Sequence, residues 1–95
     1  FLYYVTVMGT TGQKSANINE LKKSINFIKK HTNLPVVPGF GVKNEVDVNN
    51  ICRIADGAVV GSSIIKIIEE NLNDKEFMLK KISNFTKKLK LGVKI

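Results

Sequence analysis

Two glycine-rich stretches carry the chemistry this chain offers: Pro38-Gly39-Phe40-Gly41-Val42 and Gly57-Ala58-Val59-Val60-Gly61-Ser62-Ser63. Each joins a short apolar run to a segment of helical periodicity, so glycine falls where a buried strand turns into a helix. The first turn of a helix leaves amide hydrogens without intrahelical partners, and the helix dipole makes that end partly positive. Glycine adds no side chain that would keep a ligand off those amides. The chemistry implied is oxyanion binding, with a phosphate group as the fitting guest. Either stretch alone also reads as an ordinary strand exit; the pair in this order, one βα unit apart, points to a shared site.

The elements that would position these turns follow from periodicity. Residues 2–7, LYYVTV, are aliphatic, aromatic or β-branched and predict a strand buried on both faces. Residues 9–17 are small, polar and bounded by glycine, and predict a mobile loop. From Ile18 the apolar residues Ile18, Leu21, Ile25 and Ile28 recur at helical spacing with lysines opposite, and Asn33-Leu34-Pro35 closes that helix. A strand over 36–38 leads into the first glycine turn. A weaker helix over 43–54 carries Val46, Asn50, Ile51 and Ile54, with Asn44 as its cap. A third strand over 58–60 leads into a helix over 63–72. The last helix, over 74–91, has an Asn73/Glu76 capping pair, and its stripe Phe77, Met78, Ile82, Phe85 and Leu89 is expected to lie against the outside of the sheet. Strands alternating with helices of this length demand parallel pairing with right-handed crossovers.

Composition narrows the partners. The chain has 95 residues, 15 Lys+Arg against 8 Asp+Glu, and a formal net charge of +7, yet Arg53 is its only arginine. The lysines come in pairs (Lys22-Lys23, Lys29-Lys30, Lys80-Lys81, Lys87-Lys88) on the solvent sides of amphipathic helices. Base-edge recognition and phosphate forks lean on arginine, so specific nucleic-acid binding is not expected. Cys52 is the only cysteine, which excludes an intrachain disulfide and a metal site built from paired cysteines; it reads as a small core residue. His31 falls at a helix C-terminus, where a cation is favoured. No metal site is expected. No stretch is long and apolar enough for a bilayer span and no signal peptide is visible, so the expectation is a cytoplasmic protein without membrane contact.

Phosphate held by the loops after two successive strands is the grip found in many (β/α)₈ barrels. A whole barrel needs roughly 250 residues. The chain, which starts at Phe1 inside an apolar run, therefore reads over residues 1–95 as a single piece of such a domain: α/β, three parallel strands with flanking helices, the C-terminal part of a partial TIM barrel. Its open strand edges would be covered by the rest of the barrel or by a second copy.

Three motifs at once, residues 3–12 (YYVTVMGTTG), 38–42 (PGFGV) and 56–69 (DGAVVGSSIIKIIE), resemble the C-terminal portion of the tryptophan synthase α chain family, and all 95 residues fit that segment in order. The resemblance implies a carbon-carbon lyase that cleaves indole-3-glycerol phosphate to indole and glyceraldehyde 3-phosphate in tryptophan biosynthesis. It implies a β chain partner, which holds the pyridoxal phosphate; no cofactor is expected in the α chain itself. By matching position, Gly12, Gly41, Gly61 and Ser62 would hold the substrate phosphate. Tyr3, Phe40 and Val59 would line the pocket, with Phe40 on the indole ring, and Thr11 would belong to the lid. Tyr3 also suits strand core, Phe40 a strand-end filler and Thr11 a turn. Val7 and Met8 depart from the family, which often carries arginine or another polar residue there; the departure bears on lid closure, not on the phosphate grip.

The family's acid and base, a glutamate and an aspartate, belong to the second strand and the loop after it, which this segment does not include. The eight acidic residues present, such as Glu45 and Asp56, fall in helices or at their ends. No catalytic residue is therefore expected in the segment, and the 95 residues alone are expected to turn over no substrate. Two other functions stay open at this stage: another phosphate-binding barrel enzyme, and a non-catalytic half-barrel that self-associates. The sequence alone leaves open the oligomeric state, the presence of a β chain, and whether a longer gene product carries the segment.

Overall fold

The computed structural model describes residues 1–5, 18–39 and 41–93. Its elements run β1 (Leu2–Val5), α1 (Ile18–Lys29), β2 (Val36–Gly39), α2 (Glu45–Cys52), α3 (Ser62–Glu70), α4 (Lys75–Lys90) and a 3₁₀ turn over Leu91–Val93. β1 and β2 pair in parallel, with Leu2 opposite Val36 and Val5 opposite Gly39. The fold is α/β, with parallel strands joined through a helix. Helix α1 buries Leu21 and Ile25, the two central residues of the stripe read from the sequence. Together with Val36, Val42, Val48, Ile51, Ala55 and Leu89 they make one core. Each fully buried aliphatic side chain of this kind contributes about 1.5–3 kcal/mol.

The expected third strand is reduced to one bridge, Val59 to Gly39. The reason is a count across the turn. Asp56 N–H donates to Val36 O at 3.0 Å and Val59 N–H to Pro38 O at 3.0 Å. Three residues thus separate the donors where two separate the acceptors, so the ladder slips out of register as at a bulge. The sheet therefore has two strands among the described residues, with a third segment lying beside it.

β1 also departs from expectation. It is described from Leu2 only to Val5, and it is not buried on both faces: Val5 is 67% exposed and Tyr3 55%. Only Tyr4 is half-buried, over a shallow groove shared with Phe27 and Ile28 of α1. A doubly buried strand needs a layer on each side, and the described elements supply one.

The helix ends follow local chemistry. Asn44 caps α2 as expected, its Oδ1 accepting from Asp47 N–H at 2.9 Å, while the Asp47 carboxylate accepts from Lys43 N–H. The buried face of α2 is Val48 and Ile51; Val46, counted toward that face from the sequence, is exposed. Asp74, not Asn73, caps α4, accepting from Phe77 N–H at 3.0 Å. The turn closed by Asp74 N–H on Asn71 O moves the helix start one residue on, so the Asn73/Glu76 pair does not form. Helix α4 packs on α2 and α3 rather than along the sheet, with Leu89 buried and Phe77 exposed. Cys52 is half-buried at the end of α2, and its surroundings push the thiol pKa up. His31 lies just past α1, its ring 4.8 Å from that of Phe27.

Asp56 ties the ends of three segments together. Its carboxylate accepts from Val36 N–H at 2.8 Å and pairs with Lys29 Nζ at 2.9 Å. The backbone hydrogen bond first, and the lysine second, hold its pKa below the ordinary carboxylate value. A depressed pKa in the folded state stabilises above the unfolded value, and that contribution is lost as pH falls through the folded one. Asp56→Asn will therefore unfold at lower denaturant concentration than the parent at pH 7. The gap will close as pH drops below about 4, and equal midpoints at pH 7 would contradict this role.

Candidate functional site

The glycine turns after β2 and before α3 meet at one cleft of ≈ 200 Å³, lined by Tyr3, Gly39, Gly41, Val42, Val59, Gly61 and Ser62. Five of the residues singled out from the sequence are thus together: Tyr3, Gly41, Val59, Gly61 and Ser62. Gly12, Thr11 and Phe40 lie outside the described residues. None of the described lining residues is charged.

Two of the three cleft glycines have a structural reason to be glycine, and the third does not. A Cβ on Gly39 would lie 2.9 Å from the Tyr3 hydroxyl, so the absent side chain is what lets the Tyr3 ring lean across from β1. Gly41 has φ 65°, the left-handed region in which an L side chain costs about 1–2 kcal/mol. Gly61 has neither reason: its φ is −125° and a Cβ there would meet nothing within 4 Å. Its position as N-cap of α3 tolerates glycine but would accept serine, aspartate or asparagine at least as well.

Helix α3 begins differently from its neighbours. A side chain caps α2 and another caps α4, while α3 has no side-chain cap hydrogen bond. Gly61 O accepts from Ile64 and Ile65 N–H, each at 3.0 Å. Among the described residues, the N–H groups of Ser62 and Ser63 donate to no protein acceptor. Two amide donors and the exposed Ser62 thus stand at the positive end of a nine-residue helix, in a cleft bordered by the left-handed Gly41. Such a set can hold an oxyanion through neutral donors, without a lysine.

Sequence reasoning missed the residue that joins the two turns. Ser63 Oγ donates to Val42 O at 2.7 Å, across 21 positions of chain. Nothing in the Ser62-Ser63 pair distinguishes the serine facing the cleft from the one turned back to the preceding turn. Gly39 and Val42 were visible as parts of the first motif but were not assigned to the lining.

Parallel strands joined through a helix, with a strand exit and a helix start lacking a side-chain cap around one uncharged cleft, define an α/β segment with a candidate ligand site. A family model described as tryptophan synthase alpha chain matches residues 1–94. The tryptophan synthase alpha chain of Petrotoga mobilis is 44% identical over 91 residues, covering 96% of this chain and 35% of that one. That of Methanocaldococcus jannaschii is 42% identical over 74 residues, covering 78% of this chain and 26% of the other. A solved structure from Aquifex aeolicus VF5 superposes with TM-score 0.72 at 28% identity, over 96% of this chain and 32% of that chain. The chain belongs to the tryptophan synthase alpha chain family. It spans about a third of the length of the curated relatives it matches.

Proposed function

We propose that this chain forms the phosphate-gripping part of a (β/α)₈ barrel that cleaves indole-3-glycerol phosphate to indole and glyceraldehyde 3-phosphate. Family membership supports the reaction, and one structural observation supports the part played by this segment. Helix α3 starts without a side-chain cap, and among the described residues its Ser62 and Ser63 amides have no acceptor, beside Gly61 and in the same cleft as Gly41. The substrate phosphate accepts from those amides and from Ser62 Oγ, and Gly12 joins them from the lid. Tyr3, Val59 and Phe40 form the indole side of the pocket, and Thr11 closes with the lid. Excluding water there strengthens each polar contact while charge develops on the substrate.

The acid and base come from carboxylates of the preceding barrel units, so the 95 residues alone do no chemistry. Pyridoxal phosphate stays with the β chain that receives the indole. The barrel is cytoplasmic, and no helix among the described residues is long and apolar enough to cross a membrane.

Titration of the full-length protein tests the site. An indole-bearing alkyl phosphate that lacks the cleavable bond is expected to bind at least about 10-fold more tightly than inorganic phosphate, because burial of an aromatic ring adds well over 1.4 kcal/mol. Equal affinities would remove Tyr3, Phe40 and Val59 from the indole pocket. A retro-aldol rate above background from the isolated 95 residues would overturn the assignment of the chemistry to other units.

A further inference from the structure

Ser63 is half-buried at the second position of α3, and its hydroxyl is spent inside the protein, on Val42 O at 2.7 Å. Val42 is itself 3% exposed and follows Gly41, the residue with φ 65°. Among the described residues no other side-chain hydrogen bond is seen to link the strand exit after β2 to α3. The backbone link between these regions, Val59 N–H to Pro38 O, lies before both glycine turns. Among the described residues, the Ser63 bond is thus the directional tie between the Gly41 turn and the start of α3.

We propose that Ser63 is a positioning residue: its hydroxyl clamps the Gly41 turn to the start of α3, so that the two sets of amides are already aligned when the phosphate arrives. The proposal rests on the phosphate site described above. Two anion-binding turns from separate strand exits bind well only if their donors converge before binding, since ordering them afterwards consumes binding energy. Ser62 and Ser63 thus divide the work. The first donates to the ligand, and the second holds the frame from which Gly41 and the α3 amides donate. A hydrogen bond of this kind contributes on the order of 1 kcal/mol, so its loss would weaken phosphate binding by roughly 5-fold while the fold persists.

The test uses the full-length protein, inorganic phosphate and an indole-bearing alkyl phosphate as probes, and backbone amide spectra. Ser63→Ala is expected to shift the Gly41 and Lys43 amide signals before any ligand is added, and to weaken both probes by a similar factor of about 3–10. Ser63→Thr, which keeps a hydroxyl, is expected to restore ligand-free signals and affinity toward the parent. Should Ser63→Ala unfold, Ser63→Cys, a weaker donor of similar size, carries the comparison, with an intermediate loss expected. If the parent binds phosphate through Ser62 and Gly41 while Ser63→Ala binds equally well, the clamp is refuted and the phosphate site stands. If the parent shows no phosphate-dependent shifts at Gly41, Gly61 and Ser62, the phosphate site fails, and the clamp with it.

Discussion

Gly61→Asp is expected to leave the fold intact and remove nearly all phosphate affinity. Aspartate is a better helix N-cap than glycine, and a carboxylate at the start of α3 interacts favourably with the helix dipole. Space is no obstacle, because a Cβ at Gly61 meets nothing within 4 Å and φ is −125°. The unfolding midpoint should therefore stay the same or rise slightly. The same carboxylate competes with the ligand for the Ser63 amide and repels a dianion. Two unit charges 4 Å apart repel by about 4 kcal/mol at an effective dielectric near 20, so even after screening the loss is on the order of 100-fold or more. Denaturant unfolding and phosphate titration of the full-length protein measure the two effects separately. A variant that binds as tightly as the parent would mean that Gly61 does not face the anion.

Gly92→Ala is expected to do the opposite, damaging the fold at a residue that does not line the cleft. Gly92 is buried in the 3₁₀ turn after α4, and an added methyl group would run into the carbonyl oxygen of Glu45 and lie 3.0 Å from Val48 Cβ. The obstacle is helix backbone, which cannot swing aside as a side chain can. Asn49 Nδ2 also donates to Gly92 O at 3.1 Å, so moving the turn away would cost that bond as well. Overpacking of this kind costs about 1–3 kcal/mol. Denaturant unfolding should show the loss while phosphate affinity per folded molecule is unchanged. An unaltered midpoint would show that the turn is not held against α2.

The contrast between these glycines shows where the sequence was legible. Periodicity exposed α1, because Leu21 and Ile25 repeat on one face whatever surrounds them. The Asn44 cap was legible for the same reason, since capping needs only the next three residues. The third strand was not, because its pairing depends on how many residues the turn at Asp56-Gly57 consumes, a number that no local pattern encodes. The stripe on α4 was visible, but what it packs against is a tertiary fact, and it proved to be α2 and α3.

At the site, the motifs located five cleft residues but could not say why each glycine is a glycine. Gly39 makes room for Tyr3, Gly41 adopts a left-handed backbone, and Gly61 has no conformational or packing need of its own. Only coordinates separate those reasons. Ser63 escaped notice because a serine that donates to a ligand and one that donates to a buried carbonyl are the same letter.

The amide spectrum of the full-length protein during a titration with inorganic phosphate tests the shared anion site most directly. Gly12, Gly41, Gly61 and Ser62 should shift together along one saturation curve, at ligand concentrations that leave the Asp56 and Gly92 regions unmoved. Signals from Gly41 and Ser62 that stay still, or that saturate at separate concentrations, would contradict a single phosphate held between the two turns.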